Sequence, residues 1–184
     1  MRRNEVVSMK KRRFSVRDMC LCAMFAGLLA LCAWISIPFA NIHITLQTFG
    51  LFLALLTLGG FRGSVAVGLY LLLGAVGLPV FAGFQGGLHM YGMPSAGFLY
   101  GFMLTCLLYW AITAEFAPKK WGKVAAMVVA MVPCYGLGVW WMFGFYSAIV
   151  PNSTYIATIF GFLVPDCLKF FLAWTVSARL RRFV

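Results

Sequence analysis

Acidic residues are almost missing from this chain. There are four Asp+Glu in 184 residues, and charged residues of both signs make up only 10%. A soluble globular domain carries about 25% charged residues, and a surface this poor in charge is not dispersed by water. Histidine is equally scarce, and the six cysteines form no C-x-x-C pair and no Cys/His metal spacing. All six lie in apolar segments and read as small packing residues. His43 and His89 stand alone, so neither a metal site nor a bound cofactor is expected. The G-x-S-x-G, H-E-x-x-H and Walker patterns are absent, so no enzymatic activity is expected and no nucleotide site is present. No A-x-A site follows the first apolar run, which is therefore expected to be a genuine span and not a cleavable signal peptide.

What fills the chain instead is apolar: 63% of residues, with a mean hydropathy of +0.93. A spanning helix takes ~20 residues, so this length holds at most about six or seven spans and no separate soluble catalytic lobe. The formal charge of +11 could suggest nucleic acid, but its distribution excludes that. Arg2, Arg3, Lys10, Lys11, Arg12, Arg13 and Arg17 crowd the start, Arg62 stands alone, Lys119, Lys120 and Lys123 cluster, and Arg179, Arg181 and Arg182 close the chain. Membrane proteins keep Lys and Arg in cytoplasmic segments. Between these markers lie six apolar segments, at about 18–37, 44–58, 64–78, 94–116, 121–145 and 165–182. One orientation satisfies every cluster: an all-α bundle of six transmembrane helices with both termini cytoplasmic. Residues 1–17 form a basic cytoplasmic tail and residues 18–184 the transmembrane substrate-binding domain. The second and third segments are short and join at a glycine-rich turn, because merging them would bury Arg62 at a cost of about 2.5–3.5 kcal/mol.

Ionisable groups inside such a bundle are the places to look for function. Asp166 and Lys169 qualify. Pro165 suits the first position of a helix, which would put Asp166 in the first turn, favoured by the macrodipole, and Lys169 on the same face. The pair either holds a ligand or only neutralises itself. Polar candidates around the outer loops are Asn41, His43, Thr45 and Gln47, then Gln85, His89 and Tyr91 in a glycine-rich stretch. Small residues at Ala23, Gly27, Ala26 and Ala30, and at Gly97 and Gly101, permit close helix contact. Their contact is either within the bundle or with another membrane subunit. Uphill transport would need an ion gradient, with Asp166 as the protonatable group, or a partner that hydrolyses ATP.

Four runs resemble the BioY family, the biotin-binding S components of energy-coupling factor (ECF) transporters: Trp34-Ile-Ser-Ile-Pro38, Ile44-Thr-Leu-Gln-Thr48, Tyr70 through Gly83, and Pro165-Asp-Cys-Leu-Lys169. They occur in family order over about residues 25–173. The resemblance implies a six-helix vitamin-binding subunit that captures biotin outside and associates with a transmembrane T component and two ATPases. It also implies ligand contacts from Asp166 and Lys169, and docking through Ala23 and Gly27, with Ala26 and Ala30 as further positions. The chain departs from the family at Ala82 and Gly83, where many relatives carry an Asn, so Gln85 or His89 is expected to supply that contact. It departs again at Gly92-Met-Pro-Ser-Ala-Gly97, where relatives tend to read Gly-Pro-Thr-Gly-Gly. Three alternatives stay open: an S component for another vitamin, a stand-alone proton-coupled carrier, and an assembly subunit without ligand.

Overall fold

The computed structural model describes residues 14–39, 42–116, 120–146 and 152–182. Most of the basic tail, the Asn41 position and Lys119 therefore lie outside the described residues. Six helices follow one another: α1 (Val16–Trp34), α2 (Gln47–Leu58), α3 (Gly60–Val76), α4 (Ala96–Phe116), α5 (Lys120–Tyr146) and α6 (Asn152–Leu180). Three stretches are long and apolar enough to cross a membrane, Val16–Trp34, Ala96–Phe116 and Trp121–Gly144. The outward faces are apolar as well, with Met24, Leu72, Val76, Val132 and Leu168 each at least 63% exposed, as a lipid-facing surface requires.

The 12-residue α2 is only about 18 Å long, too short for a ~30 Å hydrocarbon core. Its surroundings remove the difficulty. Ten of its residues are buried, and it packs against α1, α3 and α6 with a lighter contact to α4. It is the central post of the bundle, and its ends need only reach its neighbours. The α2–α3 turn forms at Gly59, whose φ of +86° favours a residue without Cβ. Polar side chains tie the helices where lipid offers no partner. Ser64 Oγ donates to the Cys106 carbonyl at 3.1 Å, joining α3 to α4, and buried Thr105 donates to the Ala130 carbonyl at 3.1 Å, joining α4 to α5. A Cβ on Gly97 would meet Trp141 Cβ at 2.5 Å and one on Gly101 would meet Cys134 Sγ at 2.6 Å, so that small-residue pair serves contact inside the bundle.

Several segment boundaries differ from the sequence expectation: α1 ends at Trp34, short of 37, α3 covers Gly60–Val76 in place of 64–78, and two further differences alter the architecture. Residues 44–45 are not helical; Ser36–Phe39 (β1) and Ile42–Thr45 (β2) pair antiparallel with Ser36 opposite Thr45. The alternation of Ile42, His43, Ile44 and Thr45 is a period of two, which belongs to a strand. The larger correction concerns the last helix, which starts at Asn152 and runs through Pro165. Asp166 is therefore mid-helix and receives nothing from a helix N-terminus. Inside a bundle a proline is tolerated within a helix because neighbours re-satisfy the freed backbone. The same holds for α5, which contains Pro133.

One end of the bundle is basic. Arg62 pairs with Asp18 at 3.1 Å, joining the α2–α3 turn to the start of α1. Arg181 Nε donates to the Leu56 carbonyl at 2.6 Å, joining the end of α6 to the end of α2. At the opposite end the β-hairpin and the loop of residues 77–95, with short 3-10 turns at Ala82–Phe84 and Leu88–Gly92, roof a cavity.

Candidate ligand-binding site

The cavity has a volume of about 290 Å³, at the small end of the roughly 300–1,000 Å³ typical of ligand sites. Its wall is mainly apolar: Phe81, Met90, Phe98, Leu99, Phe102, Met131 and Met142. Polar groups gather at one side, where Asp166 and Lys169 of α6 face Thr45 at the end of β2 and Gln47 and Thr48 at the start of α2.

Asp166 and Lys169 are 4% and 8% exposed, and Lys169 Nζ lies 2.6 Å from Asp166 Oδ1. Such a pair is stable only if the remaining polar capacity is also used, and the site does this from three elements. Thr48 Oγ1 donates to Asp166 Oδ1 at 2.7 Å, and the Tyr135 hydroxyl of α5 donates to Asp166 Oδ2. Lys169 Nζ donates to the Thr45 carbonyl at 2.8 Å and reaches Thr48 Oγ1 at 3.3 Å. Pro133 and Pro165 each precede a member of this cluster by one or two residues. Both leave a backbone carbonyl without its helical donor, in the two helices that bring Tyr135 to Asp166.

Gln47 is buried, and its Nε2 donates to the Tyr70 hydroxyl at 2.7 Å. Tyr70 is an edge-to-face partner of Phe81 at 5.5 Å between centroids. A Cβ on Gly74 would come within 2.1 Å of Phe81 Cζ, so Phe81 seats against α3 only because that position is glycine. The ring sequence continues through Tyr91, Tyr100 and Trp141 at 5.4–6.0 Å. Tyr91 donates to the Leu71 carbonyl at 2.7 Å and Trp141 Nε1 to the Met93 carbonyl at 3.1 Å. These bonds clamp the loop over the cavity. Burial, reinforced by the neighbouring Tyr100 phenol, raises the Tyr91 pKa, so its hydroxyl stays protonated and keeps donating.

Of the sequence candidates, Asp166, Lys169, Thr45 and Gln47 come together, with Gln85 also on the cavity wall. His89 is exposed and does not line the cavity. The small residues of α1 divide: Ala26 and Ala30 are 2% and 6% exposed, packed within the core, whereas Ala23 and Gly27 lie on the outer face. Thr48 and Tyr135 complete the site although neither is a charge in an apolar run. Thr48 sits one residue past Gln47, and Tyr135 is a phenol in mid-span just after a proline, a signal that marks it.

A lipid-facing helical bundle with one roofed, mostly apolar cavity and a fully hydrogen-bonded ion pair in its wall is a membrane-embedded binding subunit for a small, partly polar solute. The comparisons agree. The BioY family model matches residues 8–184. The chain is 33% identical over 167 residues to the biotin transporter BioY of Thermotoga maritima, covering 91% of this chain and 97% of that protein. It is 32% identical over 168 residues to a probable biotin transporter BioY of Pyrococcus horikoshii, covering 90% and 96% respectively. The fold superposes on a crystal structure of the S-component for biotin from an ECF-type ABC transporter with a TM-score of 0.78 and 26% identity, covering 91% of this chain and 92% of that one. The chain belongs to the BioY family. It is a multi-pass protein of the prokaryotic plasma membrane.

Proposed function

We infer that this chain is the biotin-binding S component of an ECF-type uptake transporter, and that it captures biotin in the cavity beneath the hairpin and the 77–95 loop. The observation that carries this reading is the buried Asp166–Lys169 pair at the polar side of an otherwise apolar cavity, in a chain of this family. Biotin offers matching chemistry: a ureido group with two N–H donors and one carbonyl, an apolar bicycle, and a valerate carboxylate. Asp166, with three donors on a carboxylate that can take about four, is suited to accept from a ureido N–H, and Lys169 to donate to a carbonyl or carboxylate oxygen by giving up its long 3.3 Å contact with Thr48. Gln85, at the cavity wall where relatives carry an Asn a few residues earlier, takes over that polar contact in preference to His89. Ala23 and Gly27, outward on α1, are the docking positions for a transmembrane T component, which two ATPases would energise. The positive-inside rule puts the basic end, with both termini, in the cytoplasm, and the cavity outside. The chain itself performs no covalent chemistry.

Purified protein in detergent titrated with labelled biotin, thiamine and riboflavin in parallel tests the assignment. Saturable binding of biotin alone is expected; no biotin binding at micromolar ligand sinks it, and preference for another vitamin reassigns the substrate.

A further inference from the structure

A second cavity, of about 440 Å³, lies at the basic end, between the C-terminal turn of α2, the end of α4, the start of α5 and the end of α6. It shares no lining residue with the biotin cavity. Thr57, Gly59, Tyr109, Thr113, Lys123 and Arg181 are in its wall. We propose that this cavity is a binding site for a phosphate group, carried by an anionic phospholipid of the cytoplasmic leaflet.

Three independent features support this. The first is charge. Lys123 and Arg181 both face the cavity, and the ion pairs found among the described residues are Asp18–Arg62 and Asp166–Lys169, so neither cation has a carboxylate partner there. Glu115, the acid of α4, is exposed and outside the cavity wall. Arg181 commits Nε to the Leu56 carbonyl, which fixes the guanidinium and leaves its terminal nitrogens as the fork that matches a phosphate. The second is Thr57. It is 8% exposed, and its Oγ1 is the buried side-chain polar atom without a hydrogen-bond partner among the described residues. A helical threonine can bond the carbonyl four residues back, and this one does not; its Oγ1 is closed off in its present rotamer, and a turn about χ1 would bring it to a phosphate oxygen in the cavity that Thr57 lines. The third is depth. Phe61, Trp110, Phe116 and Trp121 are 40–74% exposed around this end, the aromatic belt that sits at headgroup level. A basic pocket at that level meets the anionic surface of the inner leaflet.

The test is retention of phosphatidylglycerol against phosphatidylcholine by the full chain in native mass spectrometry, with melting in inorganic phosphate as a separate arm. Wild type is expected to retain phosphatidylglycerol preferentially; Lys123→Gln should weaken that preference about fivefold, the factor for one cation at the membrane surface, and Thr57→Val by a similar factor of about five, that of one net hydrogen bond. Biotin binding by both variants reports that they are folded. Thr57→Val is the discriminating variant, because diffuse attraction between a basic surface and anionic lipid would not notice a lost hydroxyl. Stabilisation of wild type but not Lys123→Gln by inorganic phosphate, without lipid preference, keeps the phosphate site and assigns it to a free anion. Equal retention of both lipids with no phosphate effect overturns the proposal, as does an unchanged preference in both variants.

Discussion

Replacing Asp166 by Asn keeps the side-chain shape and removes one charge from a buried, hydrogen-bonded pair in the cavity wall. In the wild type the carboxylate accepts from Lys169 at 2.6 Å, from Thr48 at 2.7 Å and from Tyr135. Asn offers a single acceptor oxygen; turned toward Lys169 and Thr48, it leaves its NH2 facing Tyr135, whose hydroxyl must then accept in place of donating. Lys169, 8% exposed, is left as a buried charge without its counter-ion. Breaking a buried pair in this way costs about 3–5 kcal/mol, which should show as a large drop in the melting temperature of the ligand-free protein. If Asp166 also accepts from biotin, losing a hydrogen bond to a charged group, about 1.5–3 kcal/mol, weakens binding about 10- to 150-fold. The double variant Asp166→Asn with Lys169→Met separates the two effects. With both charges gone the stability loss should largely disappear, since apolar replacement of a buried pair is close to neutral, while binding stays weak. Isothermal titration with biotin and thermal melting on the same preparations read both quantities. Stability lost with biotin affinity within about threefold of wild type would mean that the pair only neutralises itself.

Gly74→Ala places a Cβ 2.1 Å from the Phe81 ring; overpacking of this kind costs about 1–3 kcal/mol and should tilt Phe81 into the cavity, so biotin titration is expected to show weaker binding, and unchanged affinity would disprove the seating role. Ala23→Trp on the outer face of α1 should leave biotin binding intact and abolish uptake in cells that supply the partners, whereas lost binding would place the defect inside the bundle. Thr105→Val removes the bond to the Ala130 carbonyl and should lower stability by about 0.6 kcal/mol without altering biotin affinity, as melting and titration together will show.

The number of helices and their order were legible because long apolar runs punctuated by basic clusters leave little choice. Where the reading failed, two local rules competed. Pro165 satisfies the preference for a helix start and the tolerance for proline within a packed membrane helix, and only the neighbours of α6 decide between them. The hairpin was hidden because its two-residue period lasts only from Ile42 to Thr45 and runs almost directly into the apolar stretch of α2. Asp166 and Lys169 could be found because a charge in an apolar run is visible in one dimension. Thr48 and Tyr135 lie 118 and 31 residues from Asp166 and are neutral, so their convergence on its carboxylate is a property of the packing of α2, α5 and α6.

That packing also bears on how a captured ligand crosses. Between the biotin cavity and the basic end lie Leu51, Phe52, Leu53, Ala54, Leu55 and Leu56, none more than 3% exposed. They belong to α2, around which α1, α3, α6 and, more lightly, α4 pack. A carrier working alone rocks two repeats about a central site; this sequence has no internal repeat, and its central layer sits on the enclosed helix. Opening an aqueous path through the five large side chains of that layer, at about 1.5–3 kcal/mol each, costs about 7–15 kcal/mol. A proton moving to Asp166 through the membrane field returns only about 2.3 kcal/mol per 100 mV. The balance favours delivery by movement of the whole subunit, driven by ATP-hydrolysing partners, over a path opened within it. Vesicles holding the purified chain alone should therefore bind biotin yet show no accumulation under an imposed pH gradient, and should transport only when a T component, the ATPases and ATP are added. Accumulation by the chain alone that a protonophore abolishes would refute this and restore Asp166 as a titrating coupling group.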